Sequence, residues 1–355
     1  MTKNIMFYLK YRPQTIHELD NSQIRERMMK LLASKEIPHA LLFVGPKGMG
    51  KTSTARIFAK AVNCDENVFA GKGSSIEPCN TCVNCTTIDK SGSPDVVEQD
   101  AASNRGIDEI RKLIRESSFA PMSGRYRVYI IDEAHMITGD AFNALLKTLE
   151  EPPKSVIFIL ATTNEEKLPS TIISRCVRFP FGTAQSKDIV NMLKRIATQE
   201  KLDIPEDLMT MISNYSENSF RDATKLLEEL VMQEKLTFET AEMYLGIRSK
   251  GMLIEIMQNG TLEDVMLWIE EFVTTGGNVK RVIEDTLNTL RVQLVAKSTG
   301  RTAEPHLSFS LKEISVLIKL FHEAYGNMRI SPIEALPLEL AVVEFYNGRK
   351  ERVSS

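Results

Sequence analysis

Up to about residue 180 the chain alternates short, continuously apolar runs with longer amphipathic stretches. Ala40-Leu41-Leu42-Phe43-Val44 is the clearest apolar run, and further segments cover 95–99, 127–131, 156–161 and 176–179. Apolar residues at nearly every position of 40–44, 127–131 and 156–161 predict strands buried on both faces, and 95–99 and 176–179 are less apolar candidate strands. Between them, 22–34, 51–63, 105–117 and 139–150 carry helical spacing. Strand and helix in alternation predict a parallel sheet covered on both sides. From about 186 the strand signal stops, and 186–200, 206–216, 219–233 and 237–245 read as short helices, with Gly246 closing the set. Longer amphipathic helices follow. Ile283, Leu287, Leu290 and Leu294 form an apolar stripe in 278–298, and similar stripes run through 261–274, which holds Trp268, and 309–324. These stripes specify packing only. Residues 299–306 are expected to be a loop between helices.

The run 40–44 leads directly into Gly45-Pro46-Lys47-Gly48-Met49-Gly50-Lys51-Thr52. Strand, glycine loop and helix start follow in the order that a G-x-x-x-x-G-K-[ST] phosphate loop requires. Gly45, Gly48 and Gly50 permit turns that wrap N–H groups around phosphate oxygens, with Met49 between them and Ser53 just beyond. Lys51 would reach the β- and γ-phosphates, and Thr52 would offer its hydroxyl to Mg²⁺. A second apolar run, Val128-Tyr129-Ile130-Ile131, ends in Asp132-Glu133. Asp132 would complete the Mg²⁺ shell, and Glu133 would polarise the attacking water. A third, 156–161, ends in Thr162-Thr163-Asn164, which either sense the γ-phosphate or form an ordinary strand-end turn. Arg175 and Arg221 are surface charges on a bland reading. On a functional one, Arg175 is a finger reaching a neighbouring subunit's nucleotide, and Arg221 touches the γ-phosphate of its own chain.

At 355 residues two or three domains are expected. Hydrophobic residues make up 43% and charged residues 26%, which suits a soluble globular chain. No apolar run approaches the roughly 20 residues of a membrane span. The first residues lack a signal-peptide pattern, so cytoplasmic residence is expected. A net charge of −3 leaves nucleic-acid binding to a local basic surface. Cys64, Cys79, Cys82 and Cys85 supply enough thiolates for a closed tetrahedral Zn²⁺ site. Disulfides, a redox pair and an iron–sulfur cluster are the alternatives. Cys176 stands apart.

These elements together resemble the AAA+ ATPase family, in its clamp-loader branch. The resemblance covers nearly all of 8–246. It is carried by Lys10-Tyr11-Arg12-Pro13, the phosphate loop, the four-cysteine insertion, Asp100-Ala101-Ala102-Ser103-Asn104, Tyr129 to Met136, Phe142 to Pro153, Ala161-Thr162-Thr163, Leu168-Pro169, Ser174-Arg175-Cys176 and Phe220-Arg221-Asp222-Ala223. The implied fold is an α/β AAA+ P-loop NTPase with a parallel sheet and a zinc-binding insertion. A small helical lid domain and an all-α collar domain would follow it. The domains would run 1–180, with the zinc module at 64–85, then 181–246 and 247–355. Tyr11, Arg12 and Pro13 fall on the segment near the adenine, Thr163 on the first sensor, Arg175 on the arginine finger and Arg221 on the second sensor. ATP, Mg²⁺ and Zn²⁺ are the implied cofactors.

The resemblance also implies a ring of five subunits, including delta- and delta-prime-type partners, that opens a sliding clamp and grips primed DNA. Arg105 would contact the DNA backbone. The family works within a DNA-directed DNA polymerase assembly, but nothing in the sequence supports polymerisation by this polypeptide itself. A branch-migration type of DNA-remodelling ATPase and a non-hydrolysing structural subunit of the same ring are the competing readings. The four-cysteine insertion argues against the first, and the intact phosphate loop with Asp132-Glu133 against the second. The family's usual Val-Gly-Gln is replaced by Asp20-Asn21-Ser22, and Asn164 stands where Asp is frequent.

Overall fold

Five apolar runs pair as parallel strands in the computed structural model: β1 (Ala40–Val44), β2 (Val96–Asp100), β3 (Arg127–Asp132), β4 (Val156–Thr162) and β5 (Val177–Pro180). Their order across the sheet is β2-β3-β4-β1-β5. The structure describes residues 6–103, 106–245, 249–274, 278–300 and 307–353. They form two compact units, Met1–Glu234 and Lys235–Ser355.

In the first unit, the three inner strands are buried almost throughout, as their unbroken apolar character requires. The edge strand β5 buries Phe179 and exposes its neighbours. Tyr129 and Phe158 stack across β3 and β4 with ring centroids 5.4 Å apart. The register sets Val44 beside Thr162 and Asp100 beside Asp132. The carboxyl ends of β1, β3 and β4 therefore share one edge, where open α/β sheets bind ligands. Helices Lys51–Asn63, Ile107–Ser117 and Gly139–Glu150 supply the crossovers that parallel pairing needs. Helices Ser186–Glu200, Glu206–Tyr215 and Phe220–Met232 complete the unit.

Strand β2 starts one residue later than the apolar pattern predicts because Asp95 has a different task. Its buried carboxylate accepts N–H bonds from Met122, Ser123 and Gly124, each at 2.7 Å. Burial pushes the Asp95 carboxyl up, but these donors outweigh it and hold it below the usual range. Asp95→Ala leaves three donors unpaired and is expected to cost about 3 kcal/mol, read by denaturant unfolding. Since the folded pKa is depressed, this contribution is present above the unfolded value near pH ~4 and is lost as pH falls below it.

The second unit is helical among its described residues. Phe238–Tyr244 opens it, and Ser249–Asn259, Leu262–Thr274, Val279–Thr299, Leu311–Asn327 and Leu336–Val353 pack around one core. Ile283 and Leu290 of the predicted stripe are fully buried there, with Leu287 and Leu294 packed against the core. Trp268 stacks on Phe272 at 5.1 Å. A capping box of Ser310 and Glu313 starts Leu311–Asn327. Gly300 ends the helix before it in a left-handed conformation (φ 68°). Gly246, and 301–306 of the expected loop, lie outside the described residues.

Candidate nucleotide site and cysteine cluster

A cleft of about 520 Å³ opens at the shared strand edge. Lys47 to Ser53 of the phosphate loop and the turn after it, with Tyr11, Arg12, Pro13, Asp132, Glu133 and Arg221, line it. The loop takes its shape from glycine. Gly50 caps helix Lys51–Asn63 with φ 84°, so the N-terminus of that helix faces the cleft. Gly48 has φ 82°, and a Cβ there would stand 2.1 Å from the Ser219 hydroxyl oxygen. Ser219 caps Phe220–Met232, so the start of that helix presses directly on the loop.

Lys51 is buried and donates to the carbonyls of Gly45 (2.6 Å) and Pro46 (2.8 Å). Burial lowers its pKa, opposed by Asp132 and Glu133. The Thr52 hydroxyl donates to Asp132 Oδ2 at 2.5 Å. A hydroxyl and a carboxylate in contact are the hard oxygen donors Mg²⁺ takes, so these residues fit that ion. Glu133 adopts the left-handed region (φ 47°, ψ 43°), unusual for a residue with a side chain. Its N–H donates to Asp132 Oδ1 at 2.9 Å, and its Oε2 accepts from the Thr163 hydroxyl at 3.2 Å. His135 Nδ1 lies 3.4 Å from the same oxygen and 3.0 Å from the Thr162 hydroxyl. Nothing local in the sequence marks His135 for this contact.

Arg12 Nε donates to Ser53 Oγ at 2.8 Å, bracing the segment 11–13 on the first turn after the loop. Burial, then the nearby Arg56, lowers the Arg12 pKa. Tyr11 donates to Glu200 at 2.5 Å. The unexpected Asp20-Asn21-Ser22 has a structural account. Asn21 caps helix Ser22–Ser34, accepting from Ile24 N–H at 3.1 Å and donating to the Phe181 carbonyl at 2.9 Å. Asp20 pairs with Arg195 at 2.8 Å, and burial pushes its carboxyl up to about 6 against that pull. The Arg221 guanidinium lies 5.2 Å over the Tyr8 ring.

Besides the cysteines, four predicted site residues are not among the described residues lining the cleft: Gly45 and Thr163, which touch it through Lys51 and Glu133, and Arg175 and Arg105. The Arg175 guanidinium donates to the Thr171 carbonyl at 2.8 Å and pairs with Glu150. Arg105 lies outside the described residues.

The four clustered cysteines come together. Their Sγ atoms lie within 4.8 Å of one another. Tetrahedral Zn²⁺ with Zn–S bonds of about 2.3 Å needs sulfurs roughly 3.8 Å apart, so the cluster fits with a small contraction. Backbone N–H groups support it: Cys79 donates to Cys64 Sγ at 3.3 Å, Cys82 to Cys79 Sγ at 3.2 Å and Cys85 to Cys82 Sγ at 3.4 Å. Cys64 is also the C-cap of helix Lys51–Asn63. Cys176 packs against the sheet core, where burial pushes its thiol up to about 11, as for an inert packing residue.

A family model described as "DNA polymerase III, delta subunit" matches residues 20–185. The DNA polymerase III subunit tau of Bacillus subtilis is 39% identical over 315 residues, covering 87% of this chain and 54% of that protein. Subunit tau of Escherichia coli is 34% identical over 310 residues, covering 85% of this chain and 47% of that protein. The chain thus spans about half the length of these two relatives. Subunit gamma of Buchnera aphidicola is 30% identical over 359 residues, covering 95% of both chains.

Proposed function

Because this chain belongs to the family of DNA polymerase III gamma/tau subunits, we propose that it is an ATP-hydrolysing motor subunit of the clamp loader. One observation carries the reading. Lys51, Thr52, Asp132 and Glu133 come from different strand ends and meet around a single cleft with the phosphate-loop helix pointing into it.

Lys51 would exchange the loop carbonyls for phosphate oxygens. Thr52 and Asp132 would hold Mg²⁺, which when bound neutralises charge on the β- and γ-phosphates. Glu133 would accept the proton of the attacking water. Its bond from Thr163 would reorganise when a γ-phosphate arrives, which makes Thr163 the first sensor. Arg221, on the helix that presses on Gly48, would report the same phosphate to the helices after 181. Arg175 would act on the nucleotide of a neighbouring subunit. Gly45, Met49 and Ser53 belong to the phosphate cradle, and Tyr11, Arg12 and Pro13 to the adenine side.

The domain division is proposed as an AAA+ unit at 1–180, a lid at 181–246 and a collar at 247–355. Cys64, Cys79, Cys82 and Cys85 would hold a structural Zn²⁺ with no open position for catalysis. The proposed partners are delta- and delta-prime-type subunits in a pentameric ring, the sliding clamp and primed DNA, in the cytoplasm. No described helix is long and apolar enough to cross a membrane. The cleft offers a phosphoanhydride-cleaving site, and polymerisation is not proposed for this chain.

ATP turnover by the reconstituted ring is the test. Clamp plus primed template is expected to raise it about tenfold or more over the ring alone, a lowering of the barrier by ~1.4 kcal/mol. Turnover indifferent to both would remove the clamp-loading reading. Stimulation by branched DNA without clamp would favour a remodelling motor instead.

A further inference from the structure

Resting on the nucleotide reading of the cleft, we propose that Glu77 and Lys60 are positioning residues. Through them the cysteine module fixes segment 12–17 against the nucleotide site. The structure ties that segment down three times, in order, from the phosphate end of helix Lys51–Asn63 to its cysteine end. At the first tie, Arg12 donates to Ser53 at 2.8 Å. Lys60 lies seven residues, about 10 Å, further along the helix. It makes the second tie by donating to Gln14 Oε1 at 2.7 Å. At the third, the backbone N–H groups of Ile16 and His17 both donate to the Glu77 carboxylate, at 2.7 and 3.0 Å.

The last two ties depend on the module. Lys60 is only 1% exposed, and a buried ammonium is costly unless its hydrogens are all matched. Beyond Gln14, its partners are Asn80 Oδ1, within the cysteine module, and Asp89 Oδ1, at the end of the helix Val83–Asp89 that Cys82 caps, both at 2.8 Å. Asn80 follows Cys79 and adopts a left-handed conformation (φ 59°) in the turn between Cys79 and Cys82. Glu77 precedes Cys79 by two residues, on a stretch whose residues 71–75 are all exposed. Such a stretch has little core of its own, and gathering the thiols is what orders it. The Ile16 side chain, at the third tie, is fully buried, so the segment is seated by packing there as well as by hydrogen bonds. Losing the module's order would therefore loosen Arg12 and its neighbours, while Lys51, Asp132 and Glu133 keep their own supports.

The test uses the full chain, a fluorescent ATP analogue with Mg²⁺, steady-state turnover and metal content. Glu77→Ala is expected to keep its bound metal and weaken nucleotide affinity about tenfold, with kcat at saturating ATP within about twofold. Glu77→Gln, which keeps one acceptor, should fall between. Stripping metal from the unaltered chain should weaken affinity by a similar factor, and stripping it from Glu77→Ala should add little. Unchanged affinity in Glu77→Ala overturns the proposal, and so do two losses that multiply or a fall in kcat with KM unmoved. An unaltered chain that binds no nucleotide overturns the functional reading, and this inference with it.

Discussion

Lys51→Ala is expected to lower ATP turnover by about 10³-fold or more, equivalent to roughly 4 kcal/mol of transition-state stabilisation. Nucleotide affinity should weaken by about one to two orders of magnitude. The ammonium sits inside the phosphate loop with two loop carbonyls as partners, positioned to meet phosphate oxygens as charge gathers on them. Few other groups could replace it at that point. The variant should nonetheless fold, because burial already disfavours the charge and removal relieves that cost. Turnover, analogue binding and the unfolding midpoint measured together settle the matter. Unchanged turnover would take Lys51 out of the site, and a collapsed midpoint would make its role structural.

Arg175→Ala is expected to behave differently. Nucleotide binding by the isolated chain should stay within about threefold, whereas turnover by the assembled ring should drop by about 10³-fold. The contrast follows from where the residue lies. Arg175 is half-exposed, held by Thr171 and Glu150, and does not line the cleft of its own chain. A surface pair of this kind contributes about 0–1 kcal/mol, so the fold should be unaffected. Glu150 would have to release the guanidinium before it could reach a neighbour's nucleotide. Equal losses of binding and turnover in the isolated chain would disprove action across a subunit boundary.

Much of the fold was legible because its signals are local. Patterning marked all five strands within about a residue. Strands β1, β3 and β4 are apolar almost throughout because burial on both faces leaves few polar positions, whereas β2 and β5 carry only short apolar stretches and are mostly not buried. Helix Leu336–Val353 was equally legible in principle. Leu338, Ala341, Val342, Phe345 and Tyr346 repeat at three and four, and all are buried. Pro337 reads as a helix breaker, but in a first turn its missing N–H costs nothing. Helix Val83–Asp89 carried no such stripe; Cys82 starts it as N-cap, which follows from the thiol cluster and not from periodicity.

By itself the sequence determined the identity of the chemistry. The phosphate loop, the acid pair at the end of β3 and the thiols of Cys79, Cys82 and Cys85 are each set by residue type at short spacing, which short-range backbone geometry is enough to shape, while Cys64 joins the other thiols from fifteen residues away. Tertiary structure alone decided how those parts act on one another. The seating of Ser219 on Gly48, the bond from Thr163 to Glu133, the descent of 12–17 toward Glu77 and the separation of Arg175 from its own cleft join residues far apart along the chain. Their pairing depends on how strands align and helices pack, and no fixed spacing along the chain encodes that.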